Sequence, residues 1–196
     1  MADQLATLQD LADALQIPLA DLPTGTGTLL LECATAVVQI AAGGQRIVQV
    51  VGDTASLIGT TDSWLDLPQI PVTAVASVTL DGAALTVGID AAQYKHLGNR
   101  LWRTDGWQTY VGRPSEVVSV NTHGYPAGHQ KLQLGRWATL SLAKGQVPNP
   151  GSVASESIDD YSVTFDKMSA QMEASPFLQK ALRKAYGRRA SLVRLG

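Results

Sequence analysis

Between Thr26 and Ala42 the sequence TGTLLLECATAVVQIAA predicts a helix with almost nothing polar on it. Its polar side chains Glu32, Thr35 and Gln39 fall at i, i+3 and i+7, one narrow stripe. A helix apolar on all its other sides has to be surrounded, by its own domain or by neighbouring subunits. Cys33 sits on that apolar surface and reads as a small buried hydrophobe. As the lone cysteine it excludes an internal disulfide and a multi-cysteine metal site. Gly43-Gly44 stops the helix. Apolar runs as short as Leu29–Leu31 predict no bilayer-spanning segment, which needs about 20 residues. The opening MADQLATLQD lacks the basic-then-apolar pattern of a signal peptide.

Around this helix the apolar period changes twice. Before it, Leu8, Leu11, Ala12 and Leu15 form a helical stripe, with Thr7 as N-cap and Asp10 three residues on as in a capping box. Pro18 ends that segment, and Pro23-Thr-Gly-Thr-Gly-Thr28 reads as a flexible loop with a threonine cap. Its glycine spacing fits neither dinucleotide nor P-loop phosphate motifs. From Gln45 to Thr122 β-branched runs take over, at Arg46–Val51, Thr54–Ile58, Val72–Leu80 and Val117–Thr122. Asp81-Gly82 predicts a two-residue hairpin, and Asp105-Gly106 carries a second such signal. Trp64, Trp102 and Trp107 are expected to make the small core of this block.

After His123-Gly-Tyr-Pro126 the helical period returns, at Gln130 to Lys144, with Gly135 inside it and Gly145 after it. In Ser155–Phe165 the alternation of Tyr161, Val163 and Phe165 predicts an extended arm or short strand. Ser175-Pro176 then forms an N-cap and N1 pair. The helix it opens has Leu178, Ala181, Leu182, Ala185 and Tyr186 on one face, with Lys180, Arg183 and Lys184 opposite. Gly187 begins the exit into a basic tail carrying Arg188, Arg189 and Arg194.

Charge narrows the function classes. Charged residues are 16% of the 196, below the ~25% of an average domain, so much of the surface is expected to meet protein rather than water. At 45% hydrophobic the chain is not disordered in the main, and its length fits one domain or one with an elaboration. The net charge of −2 conceals a strong asymmetry. Residues 1–66 set eight acids against Arg46 alone, whereas 176–196 hold six bases and no acid. Such an end marks an interaction tail, or in part a helix C-terminus lined with cations.

Chemistry finds little purchase. His96, His123 and His129 lie in turn-like segments without metal-pair spacing. Asp159-Asp160 reads as turn chemistry, and Cys33 lacks the electropositive setting of a reactive thiolate. No nucleophile–base pair is present in sequence, so neither an enzyme nor a catalytic, cofactor or metal site is expected.

The order of segments carries a resemblance. ATLQDLADALQ, LLLECATAVVQIAAG, WLDLPQIPVTAVASVTLDG, NRLWRTDGW, THGYP, a helix, SESIDDYSVTF and a terminal helix follow one another over roughly residues 6–190. In this order they resemble the head–tail connector, or adaptor, proteins of long-tailed bacteriophages. The most specific pieces are Trp64–Gly82 and Ser155–Phe165. The resemblance implies an α+β fold, a small α-helical bundle core with a β-rich insertion and a C-terminal basic helix and tail. Its parts would be 1–44 (first core helices), 45–125 (insertion), 126–151 (core helix) and 152–196 (arm and docking helix), in a single domain. It further implies a structural virion protein at the head–tail interface, assembled in the host cytoplasm. Twelve copies would form a ring below the portal, extend the channel and present a platform for the stopper and tail.

Partners implied in this way are further copies of the chain, the portal, the stopper and double-stranded DNA passing without sequence-specific binding, with no membrane and no cofactor. The family's portal-docking role would fall here on Lys180, Arg183, Lys184, Arg188, Arg189 and Arg194, with the apolar face Leu178, Ala181, Leu182, Ala185 and Tyr186 beneath them. Two alternatives stay open: a stopper, which five helical segments disfavour, and a nucleic-acid-binding protein using the basic tail. A small hydrolase is the weakest, for want of a nucleophile–base pair.

Overall fold

The computed structural model describes residues 4–109, 112–147 and 160–187. It is an α+β fold, a small helical core with a curled β-sheet insertion, and it divides into two compact units, Met1–Val48 with Ala127–Gly196, and Gln49–Pro126.

The helical unit holds α1 (Leu8–Leu15), α2 (Thr24–Ala41), α3 (Leu132–Gly145), α4 (Asp160–Glu173) and α5 (Pro176–Tyr186). Local chemistry sets several of these ends. At α1 the Asp10 N–H donates to Thr7 Oγ1 (3.2 Å) and the Thr7 N–H to Asp10 Oδ2 (2.9 Å), a closed capping box. The helix ends at Leu15, with Gln16 in the left-handed region, before Pro18 is reached. After α2, Gly43 and Gly44 take positive φ, and their N–H groups donate to the Ile40 and Gln39 carbonyls.

The Gly/Thr-rich stretch is not a loop. It is the first turn of α2, which begins at Thr24 after Pro23, with no side-chain cap. Gly27 is buried there, and a Cβ in its place would lie 2.7 Å from Leu8 Cδ2 and 3.1 Å from Leu22 Cδ2. Close approach of α1 to α2, rather than flexibility, accounts for this glycine. α2 packs against all four other helices, burying Leu30, Leu31, Cys33, Val37 and Val38 among others. Each such aliphatic side chain contributes roughly 1.5–3 kcal/mol. Thr35, expected on the polar stripe, is buried instead and accepts a long bond from the Leu5 N–H (3.4 Å). By length and composition α2 could also cross a membrane, at mean hydropathy 1.2, which the short-run criterion missed. Half of it is buried inside the protein, as a core helix is.

Residues 160–165, expected to be extended, open the helix α4. Phe165, Met168 and Met172 recur at i, i+3 and i+7, and both methionines are buried, so helical packing overrides the shorter alternation. Residues 148–159, including Asp159, lie outside the described residues.

The β unit is one seven-stranded sheet, ordered β1-β7-β3-β4-β5-β6-β2. The strands are β1 (Val50–Gly59), β2 (Trp64–Asp66), β3 (Val72–Leu80), β4 (Ala83–Val87), β5 (Gln93–Leu97), β6 (Arg100–Trp102) and β7 (Ser115–His123). All pairs are antiparallel except β4 with β5. Asp81 and Gly82, both at positive φ, form the β3–β4 turn, with Leu80 opposite Ala83, as a two-residue hairpin requires. Asp105-Gly106 makes a turn after β6 but joins no hairpin; Gly98-Asn99 does that, between β5 and β6. Arg46–Val51 is not a separate strand, for β1 starts only at Val50 and runs through a bulge at Val51-Gly52.

Of the three tryptophans expected in the core, only Trp107 is fully buried, among Leu65, Leu67, Val78, Leu101 and Val117. Its indole N–H donates to the Ser63 carbonyl at 3.2 Å. Trp102 is half-buried, and Trp64 is 41% exposed with the Arg100 guanidinium 5.3 Å from its ring centre. Arg103 is buried because its guanidinium is satisfied by the Ala91 and Gly106 carbonyls, at 2.6–3.0 Å.

Candidate interaction surface

The basic C-terminal helix was the strongest functional signal in the sequence, and its position follows from a few residues. Ser175 is the N-cap and Pro176 stands at N1, though the Ser175 hydroxyl turns back to the Gln171 carbonyl (3.3 Å) rather than capping α5. Gln179 donates to the Met172 carbonyl (3.2 Å), tying α5 to the end of α4. Leu182 and Tyr186, one turn apart, are buried. The Tyr186 hydroxyl accepts from the Gly135 N–H (3.0 Å) and donates to the Lys131 carbonyl. α5 is thereby fastened to the first turn of α3.

This sorts the residues singled out in the sequence. Leu182 and Tyr186 face the interior of the helical unit, Leu178 and Ala181 are half-buried, and Ala185 is exposed. The apolar face of α5 is therefore largely occupied by its own core. Lys180, Arg183 and Lys184 are exposed, and no acid lies between Pro176 and Tyr186. Arg188, Arg189 and Arg194 lie outside the described residues. One member of the outward face was not anticipated: Phe177 is 86% exposed. It stands seven residues before Lys184 and so on the same side of the helix. Its signal was legible as an aromatic residue falling off the apolar stripe.

The acidic end is disposed differently. Asp13, Asp21 and Glu32 are exposed on the helical unit. Asp10 is drawn inward by its capping box and by an ion pair with Arg136. Burial pushes the Asp10 carboxyl up, but the Thr7 N–H and Arg136 together outweigh it and hold the group below its usual range. At the β3–β4 turn, half-buried Asp81 is also lowered, by the Thr109 hydroxyl first and then the Glu116 N–H (2.9 Å).

The histidines do not assemble. His96 on β5 bonds the Gly98 carbonyl (2.6 Å), and His129 Nδ1 accepts from the Lys131 N–H (3.1 Å). His123 is not in a turn: it ends β7, is fully buried, and meets Asp53 Oδ2 at 2.9 Å through Nε2. The bulge in β1 places Asp53 for this contact. Its Nδ1 is buried without a hydrogen-bond partner. Cys33 is buried within the helical unit. Among the described residues no cluster of three His, Cys, Asp or Glu side chains could hold a metal ion.

No family model matches the chain, and no curated protein matches it. The chain is similar to chains in at least two solved structures. One is a chain in the virion of a native gene transfer agent particle, 14% identical over 86% of this chain and 91% of that one, with a TM-score of 0.43. The other is a chain in the neck of an empty gene transfer agent particle computed with C6 symmetry, 13% identical over 98% and 95%, with a TM-score of 0.49.

Proposed function

We propose that this chain is a structural subunit of a phage-like connector, an adaptor that forms a ring below the portal and docks on it through the outward face of α5 and the basic tail. The order of sequence segments supports the family reading. The observation that carries the docking role is the division of α5. Leu182 and Tyr186 hold the helix rigidly in its own unit, while Phe177, Lys180, Arg183 and Lys184 are presented outward with no acid among them. A rigid cationic face with one exposed aromatic suits an acidic protein surface bearing an apolar pocket. The ring would carry DNA through its channel without reading its sequence, and its far side would receive the stopper.

The test mixes the full-length protein with its cognate purified portal and images the product by electron microscopy. Truncation after Ser175 is unsuitable, because it removes Leu182 and Tyr186 from the core. Triple charge reversal, Lys180→Glu with Arg183→Glu and Lys184→Glu, leaves the core intact. A ring on the portal that the reversal abolishes supports the reading; unchanged assembly of the reversed protein overturns the role of α5.

A second reading, duplex binding by the same cations, is favoured by their exposure. It predicts that affinity for DNA falls with salt, the log–log slope shrinking by about 0.9 for each phosphate contact removed. Micromolar DNA binding with that slope, and no portal complex, would replace the adaptor reading.

A further inference from the structure

Two helices of the helical unit carry outward faces that the described residues cover only in part, with Ile40 on α2 and Trp137 on α3 left exposed. On α2, Leu29, Ala36 and Ile40 follow one line at i, i+7 and i+11. Ile40 is 62% exposed, and the exposed Glu32 borders the line. Ala36, half-buried, is the small residue between the two large side chains on that line. On α3, Trp137 is 59% exposed at the centre of the outward arc. Gln133, Leu140 and Lys144 flank it at i−4, i+3 and i+7. Tryptophan is among the side chains most enriched as interface anchors. α2 and α3 already pack on each other through their opposite faces, with Leu31 and Val38 buried on one and Ala138 and Leu142 on the other. The two outward faces of one copy are therefore not each other's partners.

We propose that Trp137 of one copy seats over Ala36 of a second copy, the two helices running antiparallel. Charge complementarity between the two faces supports a second copy as occupant and sets the direction. With Trp137 level with Ala36, an antiparallel helix carries Lys144 ~10.5 Å one way, and Glu32 lies ~6 Å the same way, a mismatch of ~4.5 Å at 1.5 Å per residue. A flexible lysine side chain spans that. In the same arrangement Gln133 comes level with Ile40. A parallel helix would instead bring Lys144 level with Gly43, far from Glu32. The two faces differ, so the contact is head-to-tail, the kind that closes into rings. The choice of a second copy as occupant rests on the ring-building reading above.

The experiment uses the full chain without portal. Ile40→Cys and Gln133→Cys, which come level and leave Glu32 and Lys144 in place, are put on separate copies, mixed, and treated with a thiol cross-linker of about 8 Å, matched to helices packed 8–10 Å apart. Cys33 is fully buried and does not compete. The mixture is expected to give covalent dimer about tenfold above either variant alone, and a chain bearing both substitutions a ladder of higher species. Adding Trp137→Ala to that chain should remove the ladder without changing its circular-dichroism melt. A mixture no better than an Asp13→Cys and Gln133→Cys control overturns the contact, as does equal cross-linking by one variant alone. A ladder without portal docking sinks the docking role and leaves this contact standing; docking without a ladder does the reverse.

Discussion

The Tyr186 hydroxyl on α5 accepts a hydrogen bond from the Gly135 N–H of α3 at 3.0 Å and donates its own O–H to the Lys131 carbonyl. These two backbone groups stand four residues apart, the spacing that closes the first turn of a helix. A side chain from a distant helix has thus been inserted into the start of α3. A Cβ at position 135 would lie 3.4 Å from that hydroxyl and 3.2 Å from Leu5 Cδ2, which explains a glycine in a helix.

Tyr186→Phe therefore leaves a buried N–H and a carbonyl to find new partners, at about 1–3 kcal/mol. At ~2–4 °C per kcal/mol for a chain this size, the melting temperature should fall by roughly 2–12 °C. Circular dichroism checks it, and an unchanged melt would mean that the bridge contributes nothing.

Leu182→Ala removes a fully buried side chain from the joint between α5 and its unit. Urea unfolding should show a loss of ~2–5 kcal/mol. Lys184→Ala on the opposite, exposed face should stay within about 0.5 kcal/mol.

The acid limb of stability should depend on Asp10. Its carboxyl is lowered when folded, because the Thr7 N–H and Arg136 outweigh the burial that raises it. A lowered folded pKa adds stability above the unfolded value, and that stability is lost as pH falls through the folded one. Asp10→Asn should flatten this loss below about pH 4, the unfolded aspartate range. An NMR titration of Asp10 with its midpoint at or above the ordinary aspartate value would refute the assignment.

Two tryptophans of the β unit should behave oppositely. Trp107→Ala empties a fully buried position and should cost ~3–5 kcal/mol. Trp64→Ala removes a half-exposed ring and its contact with Arg100, worth ~0.5–1 kcal/mol. Denaturant melts of the two variants separate these cases, and equal losses would contradict the burial seen here.

What the sequence by itself determined are features whose cause lies within a few residues. The Thr7–Asp10 capping box, the Gly43-Gly44 stop, the Asp81-Gly82 hairpin and the Ser175-Pro176 start all depend on local backbone geometry and short-range bonds. The change of period from helix to strand and back, which separates helical core from sheet, is likewise a near-neighbour property, as is the run of bases in α5.

Tertiary structure decided where a residue's surroundings come from distant segments. α2 starts two residues before Thr26 because Gly27 admits Leu8 and Leu22. Thr35 turns inward toward Leu5, and Trp64 turns outward while Trp107 is enclosed. Residues 160–165 are helical because Met168 and Met172 have a core to enter. The interaction surface divides in the same way. Its charge was written in Lys180, Arg183 and Lys184, but the exposure of Phe177 and Trp137 depends on which face of each helix the core had already taken. Periodicity marks a face as apolar; only packing determines whether that face is already filled.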